Sequence, residues 1–177
     1  MSAPVLVAYA SRYGSTQETA EAIAETLRER GLEVEARPLR EVRTLHGYRA
    51  VVLGAGLYVN RWYKDADRFL AEHRAELAGR PVAVFALGPI QSPPNEAERQ
   101  GAREQLDKQL VRFPWLAPVA VGVFGGKYDP ARLRFPDSLI ARLPATPLKG
   151  LPASDARDWP EIRAWATDLA TKLGRAT

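Results

Sequence analysis

The chain of 177 residues has no cysteine, a single methionine and two histidines. Without cysteine there are no disulfides, thiolate nucleophiles, cysteine-type zinc sites or cysteine-held iron–sulfur clusters. Redox chemistry would therefore have to come from a bound cofactor. No stretch runs 18 apolar residues without charge, and the opening MSAPVLVAYAS has no basic segment ahead of a long apolar core. A soluble, cytoplasmic protein is expected on that pattern. The Walker pattern G-x-x-x-x-G-K-[ST] and the spacing G-x-G-x-x-G are also missing, which argues against nucleoside-triphosphate phosphoryl transfer and dinucleotide binding. His46 and His73 are too far apart in pattern for a metal pair and have charged or polar neighbours, so surface positions and no metal are expected. No carboxylates cluster after the first or third apolar run, which argues against a phosphoacceptor receiver domain.

What is present is enough for one sizeable core: 46% of the residues are hydrophobic. One domain over residues 1–177 is expected, with an insertion at about 125–156. The net charge is +4 and the isoelectric point about 9.6. Such an excess suits acidic ligands, anionic lipid or nucleic acid, and it also fits a chain rich in arginine with solvated charges. Outside the insertion, charges of both signs alternate along the helical segments and no aromatic–basic platform is present, so nucleic acid is not expected as a partner.

Short apolar runs without polar alternation predict strands buried on both faces at Val5–Ala10, Ala50–Gly54, Pro81–Leu87 and Val119–Phe124, and Leu32–Leu39 alternates enough to be another. Between them Ala20, Ile23, Ala24 and Leu27 recur at helical spacing, as do Ala66, Phe69, Leu70 and Leu77 in a helix predicted over Trp62–Leu77. Further helices are expected at Glu96–Val111 and after Asp158, a candidate N-cap. This alternation predicts an α/β fold with a parallel sheet covered on both faces. Residues 125–156 break the rhythm with five prolines and one short helical pattern at Ser138–Leu143. So long a connection is usually functional. From Lys127 to Lys149 it holds five basic side chains against two acidic ones, interleaved with Phe135, Leu139, Ile140 and Leu143. That pattern suits a membrane surface or an acidic ligand, and equally a helix packed on the domain.

The stretch Ala10-Ser11-Arg12-Tyr13-Gly14-Ser15-Thr16 joins the first strand to the first helix. At such a junction backbone N–H groups and the helix dipole favour an anion. Gly14 lets the backbone approach closely, and Ser11, Ser15 and Thr16 add hydroxyl donors. With no lysine in the loop, a monophosphate held for structural reasons fits best. Arg12 either adds charge to this cradle or points to solvent.

Ser11-Arg12-Tyr13-Gly14-Ser15-Thr16 resembles the flavodoxin phosphate loop, and the resemblance spans nearly the whole chain. Within flavodoxin-like proteins the chain is similar to the menaquinone-dependent protoporphyrinogen oxidase group. That likeness is carried by Gly54-Ala55-Gly56-Leu57-Tyr58-Val59-Asn60-Arg61-Trp62, by Val123-Phe124-Gly125-Gly126-Lys127 ahead of the insertion, and by Arg157-Asp158-Trp159. It implies a doubly wound sheet of order 2-1-3-4-5, an insertion after or within strand five, and FMN with its phosphate on residues 11–16.

The flavin ring would then lie between Gly56–Trp62 and Gly88-Pro89-Ile90-Gln91, with Leu87 also a cofactor-binding candidate, Tyr58 and Trp62 as stacking candidates and core packing as the other reading of each. Backbone groups of Val59, Asn60 and Gly88 would meet the flavin edge. The resemblance also implies a peptide near Leu57–Asn60 that rebonds with flavin oxidation state, although none of Leu57–Trp62 is the glycine often found there. No catalytic side chain is assigned; Arg61 is placed to meet an acidic substrate or to be solvated. Two functions follow from the resemblance. One is an FMN enzyme of heme biosynthesis that moves reducing equivalents from an acidic porphyrin substrate to a quinone, with peripheral contact to the inner face of the membrane. The other is an electron carrier that docks on redox partner proteins. A domain that keeps the fold without the cofactor is a third reading. Carrier flavodoxins are typically acidic, which the basic charge here does not match.

Overall fold

The computed structural model describes residues 2–58, 61–90, 95–146 and 149–174, with only the backbone of Tyr58 and Arg61. Five parallel strands, β1 (Val5–Ala10), β2 (Val34–Pro38), β3 (Ala50–Tyr58), β5 (Val82–Leu87) and β6 (Ala120–Phe124), lie in the order β2-β1-β3-β5-β6. This is the expected 2-1-3-4-5 sheet. The strands register in parallel, Val5 against Val34 and Ala50, Val51 against Val82, and Ala83 against Ala120. Because successive side chains of a strand point to opposite faces, the apolar runs feed two cores. Val5, Val7, Val52 and Phe85 pack with Ile23 and Leu27 of α1 (Ser15–Glu29) and with Ile162 and Leu169 of α6 (Trp159–Gly174). Leu6, Ala8, Leu53 and Val84 pack with Phe69 and Leu70 of α2 (Lys64–Glu72), Leu77 of α3 (Arg74–Ala78) and Leu106 of α4 (Glu96–Leu110). In β3, Gly54 makes room for the Phe85 ring, since a Cβ there would lie 1.9 Å from it.

The helix expected over Trp62–Leu77 differs in two ways. Arg61–Trp62 forms a short strand, β4, that pairs antiparallel with the end of β3, Leu57 opposite Trp62 and Tyr58 opposite Arg61. The helical residues then divide at His73, which is buried rather than at the surface. Its ring lies 4.6 Å from that of Phe69, and Nδ1 is 2.9 Å from Glu76 Oε1. His46 is exposed, as expected.

The proline-rich segment follows β6. It opens with β7 (Lys127–Tyr128), continues through a 3₁₀ turn at Pro130–Arg132 and α5 (Asp137–Ile140), and returns in β8 (Ser154–Asp155), which pairs antiparallel with β7. Asp158 caps α6, its Oδ1 accepting from the Glu161 N–H at 3.1 Å. Among the described residues no helix is long and apolar enough to cross a membrane.

Candidate functional site

The C-terminal ends of β1, β3 and β5 bring the expected site loops to one edge of the sheet. Residues 11–14 turn from β1 into α1. Gly14 has φ 91°, a left-handed conformation that favours glycine, and no atom lies within 4 Å of where its Cβ would be. The Gly14 N–H donates to Ser11 Oγ at 3.0 Å. The Ser11 hydroxyl therefore closes the turn and keeps its own proton to donate outward. No side chain caps α1, so its first N–H groups face the loop. Thr16 is buried beneath the turn, next to Gly56, where a Cβ would lie 3.9 Å from Thr16 Oγ1 and 3.5 Å from the Tyr63 ring. An open left-handed glycine at an uncapped helix N-terminus, with hydroxyls at Ser11, Ser15 and Thr16, fits a phosphate group.

Three side chains that sequence reasoning did not assign to the site sit against this loop. Tyr63 is the half-buried aromatic beside Gly56 and Thr16. Asp137, from the insertion, accepts a short hydrogen bond from the Tyr13 hydroxyl, and its Oδ2 lies 3.1 Å from Arg12 Nη1. The Tyr13 hydroxyl in turn accepts from the Arg134 N–H at 3.4 Å. Burial, then the bond to Asp137, pushes the Tyr13 phenol above its ordinary range. Arg12 points neither to open solvent nor alone toward the cradle: it is paired with Asp137.

Arg157 is the third. Its side chain is 3% exposed, and its Nη1 donates to Glu18 Oε2 at 2.6 Å and to the Ser15 carbonyl at 3.4 Å. Asp155 grips its other edge, and the guanidinium lies 4.6 Å from the centre of the Trp159 ring. An acidic residue in the first turn of α1 is thus neutralised by a buried arginine. Arg157-Asp158-Trp159 was the only sequence signal for this contact.

The expected flavin loops are placed differently. Trp62 is 2% exposed and belongs to the core beneath the sheet, donating its indole N–H to the Ala55 carbonyl at 3.1 Å. That burial removes Trp62 as a stacking surface. The Leu87 side chain is likewise buried in the core, so only its backbone remains available to a ligand. The Gly88 N–H, expected at the flavin edge, donates instead to the Phe124 carbonyl at 2.8 Å. The Pro89 carbonyl accepts from the Gly126 N–H at 2.6 Å, and the Ile90 carbonyl accepts from the Ser154 hydroxyl. Phe124 at the end of β6, Gly126 just before β7 and Ser154 of β8 therefore hold residues 88–90. Val59, Asn60, Gln91 and the side chains of Tyr58 and Arg61 lie outside the described residues.

The insertion thus holds both loops, through Asp137 on one and through Gly126 and Ser154 on the other. The assembly can hold an anion at residues 11–16 and fix its surroundings. The ionisable side chains beside that position, Arg12, Tyr13, Asp137 and Arg157, are engaged in ion pairs and hydrogen bonds.

Comparisons with known proteins agree with this architecture. Residues 6–153 match the family model described as a flavodoxin domain. Over 180 residues the chain is 22% identical to the protoporphyrinogen IX dehydrogenase [quinone] of Escherichia coli strain K12, covering 97% of each chain. Among solved structures, it superposes on the flavodoxin of Streptococcus pneumoniae TIGR4 with TM-score 0.62 at 16% identity, over 99% of this chain and 100% of that one. It also superposes on the rubredoxin:oxygen oxidoreductase of Desulfovibrio gigas with TM-score 0.57 at 15% identity, over 98% of this chain and 37% of that one.

Proposed function

We propose, from the premise that the chain belongs to the flavodoxin-domain family, whose cofactor is FMN, that it is an FMN-dependent oxidoreductase passing reducing equivalents from an anionic substrate to a quinone. The observation that carries the cofactor part is Gly14, left-handed and open at the uncapped N-terminus of α1. In this reading the backbone N–H groups of Ser15 and Thr16 and the hydroxyls of Ser11, Ser15 and Thr16 hold the phosphate. Tyr58, Val59, Asn60 and the backbone of residues 87–90 border the ring, with Tyr63 beside the phosphate end. Bound FMN supplies the hydride or electron transfer itself. The protein's own residues bind, orient and exclude water, and Arg61 meets an acidic substrate at the edge of the site.

The insertion favours an enzyme over a carrier. A carrier offers its flavin edge to partners, whereas here residues 125–156 fasten the phosphate loop through Asp137 and residues 89–90 through Gly126 and Ser154. Phe135, 77% exposed, and Leu139 and Leu143 are exposed along the same segment as the exposed Arg132, Arg134 and Arg142, an apolar and basic composition suited to a substrate that is both acidic and hydrophobic or to an anionic membrane. The name of the E. coli relative supplies the substrate class to test, a protoporphyrinogen with quinone as acceptor. The alternative is an electron-transfer flavodoxin, and the fold neighbours speak for it.

The first test is FMN uptake at near one per chain after desalting. The second is anaerobic turnover of protoporphyrinogen with a menaquinone analogue. Reduced flavin that reoxidises no faster with quinone present would overturn the enzyme reading and leave the carrier.

A further inference from the structure

Between residues 130 and 154 the described residues include one buried residue, and it is a carboxylate. Asp137 is 4% exposed, while Phe135, Leu139, Ile140 and Leu143 around it are exposed. A surface helix ordinarily turns its apolar side inward. Here the middle of the insertion is held by a charged group, and that group rests on the phosphate loop, against Arg12 Nη1 at 3.1 Å and the Tyr13 hydroxyl.

We propose that Asp137 is the internal counter-anion of the phosphate loop, setting the loop's preference for a phosphorylated flavin by competing with the phosphate for Arg12. This rests on the FMN reading above. Arg12 is the one formal positive charge within residues 10–17. A phosphate monoester arriving at Gly14–Thr16 meets a guanidinium already paired and a second anion close by. Two anions cannot both have one guanidinium at full strength. The competition is reciprocal: phosphate that draws on Arg12 loosens Asp137 and with it the insertion, and release of the insertion strengthens phosphate binding.

The experiment measures dissociation constants of FMN and riboflavin for the wild type and for Asp137→Asn at low salt, by quenching of flavin fluorescence. Asparagine keeps the shape of the side chain and an acceptor for Tyr13 while removing the charge. FMN is expected to bind the variant about 3- to 10-fold more tightly with riboflavin unchanged. In an Arg12→Gln background the same substitution is expected to change the FMN-to-riboflavin ratio by less than about twofold. A ratio that stays constant or falls in the Arg12 protein overturns the inference, as does an equal change for both flavins, which would mark a merely structural role. Should the variant not fold, the wild type gives the answer through limited trypsin cleavage at Arg134 and Arg142. Saturating FMN is expected to speed cleavage there and riboflavin is not; no change, or protection by FMN, overturns the inference. Failure of the wild type to bind FMN overturns the cofactor reading and this one together, whereas normal binding with an unmoved ratio overturns this one alone.

Discussion

Asp155 and Arg157 face each other two residues apart and close a two-pronged ion pair, Nε to Oδ1 at 2.8 Å and Nη2 to Oδ2 at 2.7 Å, at the point where the insertion returns to the domain. The same guanidinium reaches Glu18 at the start of α1, so the pair ties the end of β8 to the helix that follows the phosphate loop.

That pair predicts an acid-side stability term. Arg157 holds the Asp155 carboxyl below the usual carboxylate range. A carboxyl lowered by folding adds stability fully above its unfolded value, about 4, and loses it as pH falls through the lower folded value. Asp155→Asn is expected to cost about 1–2 kcal/mol at pH 7, a charged hydrogen-bond loss reduced by solvent screening because Asp155 is 41% exposed. Urea unfolding of both proteins at pH 7 and pH 2 checks this: the difference should shrink at the lower pH.

Gly14 separates binding from folding. Its φ of 91° is strained for a residue with a Cβ, but aspartate tolerates that region better than alanine or β-branched residues do. Gly14→Asp also places a negative charge in the cradle. The variant should remain folded by circular dichroism and weaken FMN binding by at least about 10-fold. Retained FMN affinity would put the phosphate elsewhere.

Much of the fold and part of the site were legible in the sequence. Apolar runs such as Val82–Leu87 identify two-faced parallel strands because both sides of the sheet must be dry, and a glycine among hydroxyls marks an anion turn because both features act locally. Asp137 left no such mark. It reaches Tyr13 across 124 residues of chain, and its surroundings read as an amphipathic helix whose apolar side ought to be the buried one. Trp62 and His73 misled for a related reason: a two-residue strand and a helix break carry too little periodicity to show which way a side chain turns.

Gly125 predicts how tightly the insertion is seated. A Cβ there would lie 1.8 Å from the Ala156 carbonyl oxygen, a backbone atom, while the neighbouring Ala156 N–H donates to Gly126 at 2.9 Å. Gly125→Ala must push the end of the insertion away from β6, at about 1–3 kcal/mol. The checks are a lowered thermal midpoint and faster protease cleavage at the exposed Arg132 and Arg142. Cleavage at the wild-type rate would mean that the insertion is fastened elsewhere.

Trp62 distinguishes core from cofactor. Its indole lies in the core on the side of the sheet covered by α2, α3 and α4, and donates to the buried Ala55 carbonyl. Trp62→Phe keeps most of the apolar volume and removes the indole's hydrogen bond to that carbonyl, an expected loss of about 0.5–1.5 kcal/mol. Trp62→Ala opens a cavity at about 3–5 kcal/mol. Because the ring does not reach the site, the absorption spectrum and reduction potential of flavin bound to Trp62→Phe should match the wild type while its urea midpoint falls. A shifted potential at unchanged stability would reverse the assignment and return Trp62 to the flavin face.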